Sequence, residues 1–155
     1  MEQYIQPFID GSEEVFRDFC GMEIKAGRAF FVTKNEFAVA WDVSGIIALS
    51  GEFNGTVAIS VSENTAFALT KTLTGREYTS IESEVTDALG EIVNIITGNV
   101  KIIFEKRHRI KMTVPSIINC KENAITWPSE KARIICIPFS LFEDQELCLS
   151  VAMES

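Results

Sequence analysis

The sequence predicts an α+β fold in which helices pack against an antiparallel sheet. Apolar residues recur at helical spacing in three segments, and shorter segments rich in β-branched and aromatic residues lie between and after them. Short turn signals join several of the shorter segments, as is typical of antiparallel strands, because parallel strands need long crossovers. No long Gly/Ser/Pro linker interrupts the 155 residues, so a single domain over residues 1–155 is expected.

The individual elements follow from the same patterns. The first helix is predicted over residues 7–20, where Phe8, Val15 and Phe16 form an apolar stripe and Gly21 follows as a stop signal. The second helix is predicted to begin at Ser62 and to stop at Gly75. The longest helix is predicted over about 80–104, opened by a capping box at residues 79–82. Strands are predicted at 29–33, 37–41, 46–50, 56–61, 116–120, 132–137 and 146–151, with turns at 34–36 and 52–55.

The order of elements also suggests an internal duplication of one helix-plus-strands unit. When Gly21 is aligned with Gly98, the first and last helices share the pattern D-x-x-x-E-x-x-[R/N]-x-x-x-G. Glu14 then corresponds to Glu91, and Arg17 corresponds to Asn94. The two repeat halves are expected at about residues 1–75 and 76–155.

Composition excludes several classes of function. The net charge of −8, with 22 acidic and 14 basic residues, disfavours binding to nucleic acid or to anionic membranes. The densest basic segment, Lys106–Arg109 with Lys111, is interpreted as a polar turn or a solvated strand. No apolar run has the length of a membrane span. A secretory signal is not expected, because residues 1–4 show no basic region followed by an apolar stretch. The four cysteines are not arranged as CxxC pairs, which is typical of reduced thiols in a cytoplasmic protein.

The longest helix is predicted to carry two stripes of residues. The apolar stripe is expected to face the core and consists of Val85, Leu89, Ile92, Ile96 and Ile103. The polar stripe lies on the opposite side, at steps of three and four residues, and consists of Asp87, Glu91, Asn94, Gly98 and Lys101. By spacing alone, such a stripe is more often an ordinary solvated face than a site. However, Asn and Gly are poor choices for the middle of a solvated helix.

The residues around this stripe resemble the CheC/CheX/FliY phosphatases of bacterial chemotaxis. The resemblance lies in Asp87-x-x-x-Glu91-x-x-Asn94 followed by Pro115, and in the string Gly-Glu-Ile-x-Asn-Ile-x-x-Gly-Asn over residues 90–99. It extends to the segments 5–9, 42–51 and 137–139. Within that family the chain is most similar to the CheX type, whose members carry one active copy of the motif. The first helix agrees with this, because Arg17 stands where the second asparagine would be.

The resemblance implies a CheC-like fold with a catalytic helix and a specific activity. The implied substrate is the aspartyl phosphate of phosphorylated CheY or of a related receiver domain. Asn94 would position the attacking water, and Glu91 would dock to a receiver lysine. Asp87 and Gly98 would belong to the partner-binding surface, with Gly98 allowing close approach. No metal ligand and no cofactor are expected in this chain, because the receiver would supply the Mg²⁺.

Two other classes of function remain open at this point. The first is a non-catalytic receiver-binding or scaffold module with the same fold. The second is a metal-dependent or nucleophilic hydrolase, which lacks support because the chain has no GxSxG, HExxH or P-loop motif and the single His108 has no evident partner in sequence. The family resemblance also implies a homodimer, whose interface the sequence does not identify.

Overall fold

The structure, a computed structural model, describes residues 2–38, 40–142 and 144–154. Within these ranges the chain forms one eight-stranded sheet, with the three longer helices packed on one of its faces and the short helix at residues 34–38 on the other. Every strand pair in the sheet is antiparallel, as predicted. The pairing follows the order β1-β7-β8-β4-β3-β5, with β2 also on β7 and β6 also on β3.

The strands are short at both edges of the sheet and long in its middle. Their bounds are β1 Lys25–Ala26, β2 Phe30–Val32, β3 Val43–Gly51, β4 Asn54–Val61, β5 Ile110–Met112, β6 Ser116–Asn119, β7 Ile134–Ser140 and β8 Glu146–Glu154. The helices are α1 Glu2–Asp18, α2 Lys34–Ala38, α3 Glu63–Thr74 and α4 Ser83–Glu105.

The main core lies between the sheet and the three longer helices. Alternation along the strands sends rows of apolar side chains toward the helices, and one such row joins Ile59, Leu149 and Ile137 across three neighbouring strands. Helix α4 packs against α1, α3 and the strand β3. It approaches β3 closely at Gly45, where a Cβ atom would lie 2.5 Å from Val93 Cγ2. Glycine at this position therefore sets how near α4 can lie to the sheet.

A second, smaller core covers part of the opposite face of the sheet. Phe37 and Trp127 meet there edge to face, with ring centroids 5.1 Å apart. Beneath this cover the strands carry small polar side chains that bond to one another, such as Ser44 and Ser60 with their hydroxyls 2.6 Å apart. All four cysteines are free thiols.

The predicted strand over 37–41 is wrong where it falls on described residues, and residue 39 lies outside them. Phe37 and Ala38 belong to the short helix α2, which also contains the predicted turn at 34–36. Thr33 and Glu36 form a capping box, in which the Thr33 N–H donates to the Glu36 carboxylate at 3.1 Å and the Glu36 N–H donates to the Thr33 hydroxyl at 3.3 Å. This local bonding outweighs the β-type composition of the segment.

The starts of helices α1 and α4 differ from the prediction. Helix α1 begins at Glu2, before Pro7, because Ile5 extends its buried stripe by one turn. Helix α4 begins at Ser83, and Glu82 precedes it in an extended conformation without a side-chain cap bond, so the predicted capping box at 79–82 does not form. The preceding segment is held instead by Tyr78, which is buried and whose hydroxyl contacts the Glu84 carboxylate.

The predicted core stripe of α4 is correct over its first three turns and wrong at its end. Val85, Leu89, Ile92 and Ile96 are buried, but Ile103 is 43% exposed. The buried stripe continues through Val100 and Phe104 because it follows the helical repeat in steps of four. Phe104 packs against Phe8 of α1, with ring centroids 5.5 Å apart. None of the described helices combines the length and the apolar character needed to cross a membrane.

Candidate functional site

Helix α4 presents its polar stripe to solvent across the middle of the molecule. Burial of its apolar stripe against the sheet fixes the rotation of the helix, so the opposite side faces outward. All members of the predicted polar stripe are exposed, namely Asp87, Glu91, Asn94, Gly98 and Lys101. The site residues proposed from sequence therefore lie together on one accessible surface.

Glu91 and Asn94 lie one turn apart and line the same groove. The groove has a volume of about 520 Å³ and is open to solvent along its length. Asp87 and Thr86 extend the helical wall toward the helix start, and Gly90 lies between them and Glu91. A helix face with a carboxylate and a carboxamide is thus set beside a shallow depression that a second molecule can enter.

The opposite wall of the groove comes from the connection between β5 and β6. It is formed by Val114, Pro115 and Ile117. The two walls meet where a Cβ atom at Gly90 would lie 3.8 Å from Ile117 Cγ1, which is an ordinary van der Waals distance. The groove therefore combines an acidic and amide wall with an apolar wall.

Both functional groups on the helical wall are unoccupied by the protein itself. Across residues 2–38, 40–142 and 144–154, neither the Glu91 carboxylate nor the Asn94 carboxamide forms a hydrogen bond or an ion pair with another residue. In the described part of the chain, the one hydrogen bond between Asn94 and a side chain involves its backbone carbonyl, which accepts from the Thr97 hydroxyl at 3.1 Å. The Asn94 carboxamide can therefore turn toward a partner. Lys101 differs, because its ammonium lies 3.7 Å from the Glu105 carboxylate.

Gly98 leaves an open space on the exposed stripe. No atom lies within 4 Å of the position that a Cβ would take there. Packing inside the chain therefore does not require a glycine at this position, although glycine costs about 1 kcal/mol relative to alanine in a helix interior. The residue keeps the surface next to Asn94 flat.

The first helix carries the counterpart residues but not the amide. Glu14 and Arg17 are exposed on α1, and the Arg17 guanidinium lies 3.5 Å from the Asp18 carboxylate. Helix α1 packs closely on α4 at Gly11, where a Cβ would lie 3.1 Å from Val100 Cγ2. The structure thus brings α1 and α4 into contact, with Asn94 on α4.

His108 has a partner that the sequence did not reveal. Its Nδ1 lies 2.8 Å from Glu52 Oε2, and its ring packs edge to face on Phe53 and at a tilt on Phe104. The residue therefore joins the end of α4 to the turn after β3. In the part of the chain that the structure describes, no group of three or more His, Cys, Asp or Glu side chains is arranged to hold a metal ion.

Sequence reasoning missed most of the apolar wall of the groove. The family signature includes Pro115 but not its neighbours Val114 and Ile117. They reach the groove because β5 and β6 both pair with β3, on which α4 packs. The available signal was the position of an apolar residue directly before the proline.

Comparison with known proteins places the fold and the site in context. Residues 43–140 match the family described as chemotaxis phosphatase CheX. The CheY-P phosphatase CheX of Thermotoga maritima is 23% identical over 153 residues, which cover 97% of this chain and 96% of that protein.

Solved structures with the same fold include proteins of that family. A CheC-like superfamily protein of Shewanella sp. PV-4 is 28% identical, with coverage of 98% of this chain and 97% of that one and a TM-score of 0.82. CheX of Borrelia burgdorferi, solved as a complex with CheY, BeF3 and Mg²⁺, is 26% identical, with 98% coverage of each chain and a TM-score of 0.80. The predicted CheC-like α+β fold with a long helix is confirmed.

Proposed function

Because the chain belongs to the CheX family of chemotaxis phosphatases, we propose that it hydrolyses the aspartyl phosphate of phosphorylated CheY or of a related receiver domain. The relative from Thermotoga maritima is a CheY-P phosphatase, and the Borrelia burgdorferi relative forms a complex with CheY. The observation that carries the proposal is the pair Glu91 and Asn94, both exposed on α4 and both lining one groove.

Asn94 is the residue assigned to the chemistry. An aspartyl phosphate is an activated acyl phosphate, so its hydrolysis mainly requires a water molecule in line with the phosphorus–oxygen bond that breaks. A carboxamide both accepts and donates hydrogen bonds, and it can orient that water without acting as a nucleophile or a base. The side chain of Asn94 suits this role because no bond within the described chain competes for it.

Glu91 is assigned to docking. Its carboxylate lies one helical turn before Asn94 and can pair with a lysine beside the phosphorylated aspartate of the receiver. That pairing would fix the distance at which the amide of Asn94 enters the receiver's site. Asp87 lies one turn further toward the helix start in the same groove and adds negative charge to the docking surface.

The metal ion is assigned to the receiver. Mg²⁺ bound beside the aspartyl phosphate neutralises charge on the transferring phosphoryl group, and this chain contributes no ligand to it. The residues of this chain only position a water and hold the receiver in place.

Gly98 offers a test in which stability and binding change in opposite directions. Gly98→Ala is expected to stabilise the fold by about 0.5–1 kcal/mol, because alanine favours the helix and meets no atom of the chain. The same methyl group is expected to weaken receiver binding several-fold if the receiver approaches α4 closely. Thermal unfolding and titration with a beryllofluoride-activated receiver measure the two effects. Unchanged affinity would remove Gly98 from the docking surface.

The first helix is expected to be silent. Glu14→Ala and Arg17→Ala should each leave the rate of receiver dephosphorylation within about twofold of the original, because Arg17 stands where α4 has Asn94 and has no carboxamide to orient water. Rates from decay of a phosphorylated receiver measure this. A loss as large as tenfold in either variant would mean that α1 carries a second working site.

The proposed activity is tested by mixing the protein with phosphorylated receivers from the same organism and following phosphate release. Accelerated release from at least one receiver is expected. Binding without acceleration would instead identify a receiver-binding scaffold.

The same proposal assigns the protein to the cytoplasm, where receiver domains are found. By family resemblance it also assigns a homodimer, and sedimentation velocity would measure the oligomeric state.

A further inference from the structure

The connection between β5 and β6 displays a valine to solvent. Val114 is 83% exposed, the largest exposed fraction among the large hydrophobic side chains that the structure describes. Exposure of a single valine is common, but this one lines the groove that also holds Glu91 and Asn94. Its location, more than its exposure, calls for an explanation.

The backbone around Val114 is held in place on both sides. Before it, the Thr113 N–H donates to the Ala48 carbonyl at 3.0 Å, and the Ala48 N–H donates to the Thr113 hydroxyl at 2.9 Å. After it, Pro115 restricts the backbone, and β6 begins at Ser116, which pairs with Ile46 of β3. The valine is therefore presented on a preorganised support, which lowers the entropic cost of using it in an interface.

We infer that Val114, which lines the groove together with Ile117, is an apolar docking residue that helps to select which receiver domain this protein accepts. The inference rests on the proposed function. Its occupant is a phosphorylated receiver that places an apolar side chain beside its phosphorylated aspartate. The acidic wall of the groove would meet the receiver's cation, and the apolar wall would meet that neighbouring side chain.

The two walls make different contributions to recognition. The ion pair between Glu91 and the receiver lysine sets the orientation of the bound receiver, and every receiver that carries this lysine can form it. The contact at Val114 would depend on the side chain that the receiver places there, so it can distinguish one receiver from another. It does not touch the reacting atoms, and therefore acts on affinity rather than on the hydrolysis of the bound phosphoryl group.

Three substitutions at Val114 separate apolar contact from shape. Val114→Ala removes two methyl groups from a dry contact and is expected to weaken affinity about tenfold. Val114→Thr keeps the shape but buries a hydroxyl, so a similar loss is expected. Val114→Ile keeps the apolar contact and should stay within about threefold of the original affinity. Phe30→Ala is the matched control, because Phe30 is an exposed apolar residue on β2, at the other edge of the sheet.

The experiment measures affinity and rate separately. Affinity comes from titration with a beryllofluoride-activated receiver, and the rate comes from single-turnover phosphate decay at saturating protein. We expect weaker binding for Val114→Ala and Val114→Thr, an unchanged saturated rate, and no change in either quantity for Phe30→Ala. Equal affinity for the original protein, Val114→Ala and Val114→Thr would overturn the inference. A lower saturated rate at equal affinity would also overturn it.

Three further outcomes are distinguishable from these. If the original protein accelerates phosphate release and the Val114 variants bind as tightly as it does, the inference fails while the proposed function stands. If the original protein binds the activated receiver but releases no phosphate, the proposed function fails, and the titration alone decides the role of Val114. A shift in sedimentation caused by Val114→Ala in the absence of receiver would assign the valine to a contact between copies of this chain, and so overturn the inference.

Discussion

Replacement of Asn94 by alanine is expected to lower the rate of receiver dephosphorylation by about 10²–10³-fold, the usual effect of removing one positioned polar group from a transition state. The aspartyl phosphate would still bind and the Mg²⁺ would still neutralise its charge, but the attacking water would lose its fixed orientation. Single-turnover decay of a phosphorylated receiver at saturating protein measures the loss without a contribution from binding.

The fold provides an internal control for this variant. Asn94 is exposed in a helix interior, and alanine is the better helix former, so Asn94→Ala should unfold at the same or a slightly higher temperature. Inactivity with retained stability is the pattern of a functional residue, because functional positions often sacrifice stability. Full activity of Asn94→Ala in the decay assay would show that the assignment of the water-positioning role is mistaken.

Reversal of charge at Glu91 is the second large effect expected. Glu91→Lys places a cation opposite the receiver lysine, and we expect the affinity for a beryllofluoride-activated receiver to fall by at least about tenfold. Glu91→Gln keeps the size of the side chain and removes its charge. Its affinity for the receiver should lie between those of the original protein and of Glu91→Lys. The loss of affinity on Glu91→Gln should become smaller at high salt, because salt screens the attraction between exposed charges. The screening length is about 10 Å at 0.1 M salt and shortens as salt is added.

A charge-matched control separates local pairing from the net charge of the protein. Glu122→Lys changes the net charge by the same amount, but Glu122 lies near Phe37 and Trp127, on the opposite face of the sheet. This variant should bind the receiver almost as well as the original protein. If Glu122→Lys and Glu91→Lys weaken binding equally, long-range electrostatics would account for the effect and Glu91 would lose its docking role.

Much of the fold could be predicted because the local helix and strand signals of the sequence agree with the elements that the whole fold contains. Helix α3 begins after a Ser62 cap that accepts from the Thr65 N–H at 3.2 Å and ends at Gly75 in a left-handed conformation with φ of 77°. The central strands β4 and β8 are buried along almost their whole length, because helices cover one face of the sheet and the second core covers the other. The prediction failed at residues 37–38, where the bonds between Thr33 and Glu36 favour a helical turn over the β-type composition.

The candidate site likewise contains residues that local sequence patterns predict and residues that they do not. Asp87, Glu91, Asn94 and Gly98 could be grouped from sequence, because helical spacing is local and puts them on one face. Of the apolar wall, only Pro115 could be grouped with them, through the family signature. Val114 lies twenty residues after Asn94 and reaches the groove only through the pairing of β5 and β6 with β3. Such pairing depends on the whole sheet, so no local pattern predicts it.

The central claim is that this protein accelerates the loss of phosphate from a receiver domain. The most direct measurement is the rate of phosphate release from a panel of phosphorylated receivers of the same organism, with and without the protein, in the presence of Mg²⁺. We expect at least one receiver to lose its phosphate many times faster with the protein, and Asn94→Ala to remove most of that acceleration. Spontaneous rates for every receiver in the presence of the protein would contradict the account.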